Sequence, residues 1–106
     1  MFRPKESPSL NYFVERVRKD LGPNLVEIVL FGSKARGDDV EGSDYDCLVV
    51  VKENDRGVRD QIDEAVGDTL FEYSEVISAF PVTEEDPLRQ RYDPLYLAAE
   101  REGIAL

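Results

Sequence analysis

The sequence predicts an α/β protein of the α+β type, with a small mixed sheet of at least three strands and helices packed on it. Two observations carry that expectation. Apolar residues recur at helical spacing over residues 7–20 and 58–73, and three apolar runs of strand length, 25–31, 45–51 and 74–82, lie between breaks of glycine, proline and charge. At 106 residues the chain is long enough for one core, so residues 1–106 are expected to form a single domain.

Each element has its own signal. Ser7-Pro8-Ser9 offers a hydroxyl cap with proline in the first turn, and Leu10, Phe13, Val14 and Val17 follow on one face, which predicts a helix to about Asp20. Leu21-Gly22-Pro23-Asn24 ends it, and residues 25–31 read as an interior strand. Residues 45–51 are almost continuously apolar, as in a strand covered on much of both faces. After the polar break at 52–57, Val58, Ile62, Ala65, Val66, Thr69 and Leu70 mark a second amphipathic helix, to about Tyr73. Residues 74–82 then read as a third strand, ended by Pro81 and the acidic turn at 83–87. Leu95, Leu97, Ala98 and Ala99 suggest a last helix over 93–102, closed by Gly103.

Charge and composition narrow the function. With 13 Lys and Arg against 23 Asp and Glu, the average surface repels a polyanion, so direct nucleic-acid binding is not expected. A basic protein, or a nucleotide whose phosphates a metal shields, remains compatible. There is no histidine and Cys47 is the one cysteine, which excludes a disulfide framework, a Cys/His zinc site and a histidine base within the chain. The cysteine usage fits a reducing, cytoplasmic setting. No run of signal-peptide pattern or of membrane-spanning length is present, so no membrane association is expected.

The chemistry concentrates in residues 31–46, FGSKARGDDVEGSDYD. On a strand, residues two apart share a face, so Asp44 and Asp46 stand as a pair of carboxylates at the start of the second strand. Two like charges that close are costly unless a cation lies between them, and hard oxygen donors favour Mg²⁺ or Mn²⁺. The plain alternative is a solvated acidic turn. Gly32 and Ser33, directly after a buried strand, allow close backbone approach and offer donors to phosphate oxygens, with Lys34 and Arg36 adding positive charge nearby. Their plain alternative is a turn with a serine cap. A phosphate cradle and metal carboxylates together are what transfer from a nucleoside triphosphate requires. Tyr45 and Cys47, on the other face of the same strand, are expected in the core.

Gly32-Ser33, ten residues, then Asp44-Tyr45-Asp46 resembles the G-S-x10-D-x-D signature of the DNA polymerase β-like nucleotidyltransferase superfamily. Ala35-Arg36-Gly37 and Ser43 complete the form common in its minimal nucleotidyltransferases. The resemblance implies the polymerase β-like fold, with Gly32 and Ser33 holding the β- and γ-phosphates of ATP and Arg36 supporting the phosphates or the loop. It also implies that Asp44 and Asp46 ligate Mg²⁺, with Mn²⁺ as the alternative. Fully equipped members carry a third carboxylate on the third strand, which ligates metal or serves as base. Glu75 is the one acid within residues 74–82 and is the candidate for it, against the reading of a plain polar residue at a strand start.

Nothing in 106 residues is left over for a separate substrate domain. Chains of this kind resemble the antitoxin half of toxin-antitoxin modules whose partner is a small, basic, helical HEPN ribonuclease. The implied activity is transfer of AMP from ATP to a tyrosine of that toxin, within a hetero-oligomer. Two alternatives stay open: an antitoxin that neutralises by binding alone, and a catalytic subunit that modifies a small hydroxyl compound.

Overall fold

In a computed structural model, residues 7–31, 45–83 and 103–106 are described. Helix α1 spans Pro8–Leu21, and strands β1 and β2 span Leu25–Phe31 and Tyr45–Val51. Helix α2 spans Arg56–Tyr73, and strands β3 and β4 span Ile77–Thr83 and Ile104–Ala105. The four strands form one mixed sheet in the order β3-β2-β1-β4. β1 runs antiparallel to β2 and to β4, while β2 and β3, joined through α2, are parallel. The expected class is therefore what is observed.

Local chemistry explains the helix limits. The Ser7 hydroxyl accepts from the Leu10 amide at 3.3 Å to cap α1, and the helix stops at Gly22, whose φ of 52° is one that glycine adopts without strain. α2 begins two residues earlier than its apolar pattern suggests, because the Asp55 carboxylate accepts from the Val58 amide at 2.9 Å. Its far end displaces the predicted third strand. Ser74 adopts the left-handed conformation at φ 54° and its amide bonds the Leu70 carbonyl at 2.8 Å, closing the helix, so β3 starts at Ile77 and not at residue 74. Nor does Pro81 end the strand, which continues to Thr83. β3 is an edge strand, and the Pro81 carbonyl accepts from the Asn54 side chain at 3.3 Å, so the residue's missing donor faces away from β2. The helix predicted over 93–102 lies outside the described residues. Gly103 directly precedes β4.

Both helices lie on one face of the sheet. Leu10, Phe13 and Val17 of α1 and Val58, Ile62 and Ala65 of α2 enclose a core with Ile28, Leu30, Tyr45, Cys47, Val49, Val51 and Ile77. Arg16 ties the helices together. It reaches Asp68 at 2.6 Å and the Tyr12 hydroxyl at 3.0 Å. The opposite face carries a second cluster, Phe31, Leu48, Val50 and Val82, with Val29 beside it. At the far end of the sheet Asn24 exchanges two 2.9 Å hydrogen bonds with the backbone of Glu53, joining the start of β1 to the end of β2.

Candidate active site

Of the residues singled out for chemistry, Asp46 and Glu75 are among those described; Gly32, Ser33, Lys34, Arg36 and Asp44 lie outside them. The strand ends nevertheless frame the segment. Phe31, which precedes Gly32, is the register partner of Asp46, and Tyr45, which follows Asp44, is the first residue of β2. The last residue before the glycine-serine step and the second acid of the D-x-D pair therefore face each other across adjacent strands.

Alternation along β2 sets the direction of Asp46. Tyr45 and Cys47 are both buried on the helix side, at 5% and 0% exposure, as expected from the sequence. The Tyr45 hydroxyl lies 3.1 Å from that of Ser7, itself 3.1 Å from that of Ser9, so a hydrogen-bonded group at the start of α1 holds the ring. A one-residue slip of β2 would place these two side chains on the opposite face, so their burial also holds Asp46 on the face of Phe31, Leu48 and Val50. There Asp46 is half-buried. Its charge is felt across the strand, where burial first and Asp46 second push the Cys47 thiol up to about 12. Such a thiol is a poor nucleophile at neutral pH, in keeping with a structural residue.

The sheet adds a neighbour that the sequence did not single out. In the parallel pairing of β2 with β3, the register partner of Asp46 is Ser78. Paired residues share a face, so Phe31, Asp46 and Ser78 form one row across three strands. The next row is Val29, Leu48 and Phe80, with the Phe31 and Phe80 rings 6.0 Å apart. Glu75 stands in the turn before β3, half-buried and outside the strand. The residue of β3 beside Asp46 is thus a hydroxyl and not a carboxylate. A register between non-local strands decides this, and no local pattern carries it.

Among the described residues no three potential ligands stand together as a metal cluster. The donor chemistry still fits a hard divalent ion, since Asp46 is a carboxylate at the edge of the face that carries Phe31, Leu48, Val50 and Val82, with Asp44 two residues before it in sequence. A cleft lined by Asp20, Leu21, Asn24, Glu53 and Val58 lies at the other end of the sheet, away from this row.

Comparison with known proteins bears on the same segment. The profile of the nucleotidyltransferase domain family matches residues 10–93. A protein of Methanocaldococcus jannaschii named as a protein adenylyltransferase is 46% identical over 43 residues, which are 41% of this chain and 29% of that protein. The match spans under a third of that relative's length. Among solved structures, one described as a toxin-antitoxin with AMP-PNP has a TM-score of 0.62 at 21% identity, covering 88% of this chain and 68% of its own. A mutant of the toxin-antitoxin MntA-HpeT gives 0.60 at 22% identity with the same coverage of 88% and 68%. A nucleotidyltransferase from Sulfolobus solfataricus gives 0.51 at 19% identity, covering 93% of this chain and 86% of that one. At these identities the structures establish likeness of fold.

Proposed function

The chain belongs to the nucleotidyltransferase domain family, and from that premise we propose that it is an antitoxin that transfers AMP from ATP to a tyrosine of a helical HEPN-type toxin. The observation that carries this reading is the register of Phe31 with Asp46, which sets the residue preceding Gly32 in sequence beside the second acid of the D-x-D pair. The phenol oxygen forms a bond to the α-phosphorus of ATP, the bond from that phosphorus to the bridging oxygen breaks, and pyrophosphate leaves with the electron pair. In this reading Gly32, Ser33, Lys34 and Arg36 hold the triphosphate. Asp44 and Asp46 would hold Mg²⁺ or Mn²⁺, which when bound offsets the negative charge that develops on the phosphates. Glu75 is the candidate acceptor of the phenolic proton.

Further support comes from the M. jannaschii relative's name, from the toxin-antitoxin structures of like fold, and from a net charge of -10 that suits a basic partner. The test is the intact mass of the helical partner co-expressed with the wild-type chain or with an Asp44→Asn, Asp46→Asn double variant. The reading expects one or more adenylyl groups on a partner tyrosine with wild type only; an unmodified partner in both cases defeats it.

A second reading, neutralisation by binding alone, is favoured by Ser78 standing beside Asp46 where a carboxylate would complete the site. It expects the double variant to silence the toxin as fully as wild type does.

A further inference from the structure

Helix α2 buries Val58, Ile62, Ala65 and Thr69 against the core, and its opposite side is unusual for a free surface. Phe71 is 85% exposed and Leu70 47%, with Val76 at 44% just beyond the helix. One turn before Phe71, on the same outer face, stands Gly67, where an added Cβ would meet open space. Neither residue is explained by packing among the described residues. An exposed phenylalanine contributes little to a core, and a glycine within a helix weakens it relative to alanine unless something must approach closely. Together they form a notch beside an apolar knob.

The surroundings indicate the occupant. From Asp60 to the end of α2 at Tyr73 the sequence holds five acids, Asp60, Asp63, Glu64, Asp68 and Glu72, and no Lys or Arg. Arg16 of α1 engages Asp68 at 2.6 Å and reaches Glu64 at 4.0 Å, and Arg56 reaches Asp60 at 4.0 Å, while Asp60, Asp63, Glu64 and Glu72 all remain exposed. An acidic rim disfavours an anionic membrane or a nucleic acid, and a second copy of a chain of charge -10 would bring the same rim against itself. A basic protein surface is attracted.

We propose that the outer face of the C-terminal half of α2, with Gly67 as notch and Leu70 and Phe71 as apolar anchors, docks a basic amphipathic helix of a partner protein. The glycine lets the axis of a second helix approach closely, and the rim supplies the charge pairing. The C-terminus of α2 lies at the end of the sheet where β3 begins and where Asp46 and Ser78 sit, so the docked protein lies at the same end as the candidate site. Only the role of the docked protein as AMP acceptor rests on the function proposed above; the surface itself does not.

The experiment uses the full chain and a synthetic amphipathic helix of leucine and lysine, with a leucine-glutamate helix of the same pattern as control. Anionic phospholipid vesicles and sedimentation of the chain alone complete the set. The expected result is binding of the lysine helix only, with backbone amide NMR shifts centred on Gly67, Leu70 and Phe71. Affinity should fall about tenfold or more in Phe71→Ala and in Gly67→Leu, and should weaken with added salt. Both variants change exposed positions, and melting temperatures no lower than that of wild type separate lost docking from lost folding. Equal binding of the glutamate helix, binding indifferent to Phe71, vesicle binding in its place, or self-association through Phe71 would each overturn the proposal. None of these readouts uses ATP, so a failure of AMP transfer leaves the test of the surface intact.

Discussion

Asp46, Ser78 and Cys47 make separable predictions. Asp46→Asn should reduce AMP transfer by about a hundredfold or more while leaving the melting temperature close to wild type, because the side chain is half-buried on the face away from the main core. Ser78→Asp places a second carboxylate in the row with Asp46, and the transfer rate and the affinity for Mn²⁺, read by electron spin resonance, should both rise. Cys47 reports on pH. Its thiol has an ordinary value of 9.0 and is pushed up to about 12 in the fold, so the folded state keeps a proton that the unfolded state loses. Stability should therefore be unaffected by this group below pH 9 and fall between pH 9 and about 12, by at most ~1.4 kcal/mol per pH unit. Urea midpoints for wild type and Cys47→Ala across that range isolate the contribution. The facing of Asp46, Tyr45 and Cys47 was legible in the sequence because a strand's period of two is local. Ser78 beside Asp46 was not, because it depends on how two strands 32 residues apart in sequence slide against each other, as the pairing Asp46↔Ser78 records.

At the scale of elements, the caps set the boundaries. Asp55→Ala removes the bond to the Val58 amide and should cost about 1 kcal/mol by chemical denaturation. Ser7→Ala should cost somewhat more, about 1–2 kcal/mol, since it removes both the cap of α1 and the contact with Tyr45. Gly67→Ala should act in the opposite sense, raising stability by about 0.5–1 kcal/mol, as the added methyl meets open space. Both helices were legible from apolar spacing, since tertiary packing follows that stripe. Their ends were not. Asp55 sits in a polar run that also contains Gly57, and so reads as a breaker, while Ser74 adjoins an apolar run that begins at Val76 and so reads as strand. The left-handed cap at Ser74 and the edge position of Pro81 are settled by neighbours in space. Two-residue β4 is too short to carry any pattern of its own.

For the molecule as a whole, the excess of acids over bases applies to the folded state as self-repulsion. The melting temperature should rise as sodium chloride is raised from low to physiological strength, because screening relieves that repulsion more than it weakens the Arg16 ion pairs. A fall would mean that the ion pairs between the helices outweigh the net charge.

The sheet is also assembled out of order. Val29 and Leu30 of β1 pair with Ala105 and Ile104, the Leu106 amide bonds the Ile28 carbonyl at 2.9 Å, and Arg18 reaches the Leu106 carbonyl at 2.9 Å. During synthesis β1 leaves the ribosome more than 70 residues before the segment that closes its outer edge, as the pairing of Leu30 with Ile104 requires. Over that interval the edge of β1 is an open template for any other extended strand, guarded by the register irregularity between Leu25 and Glu27 and by the charge of Glu27. A chain stopped before Gly103 would keep that edge open permanently, and should aggregate through β1 although every residue of its main helices is intact.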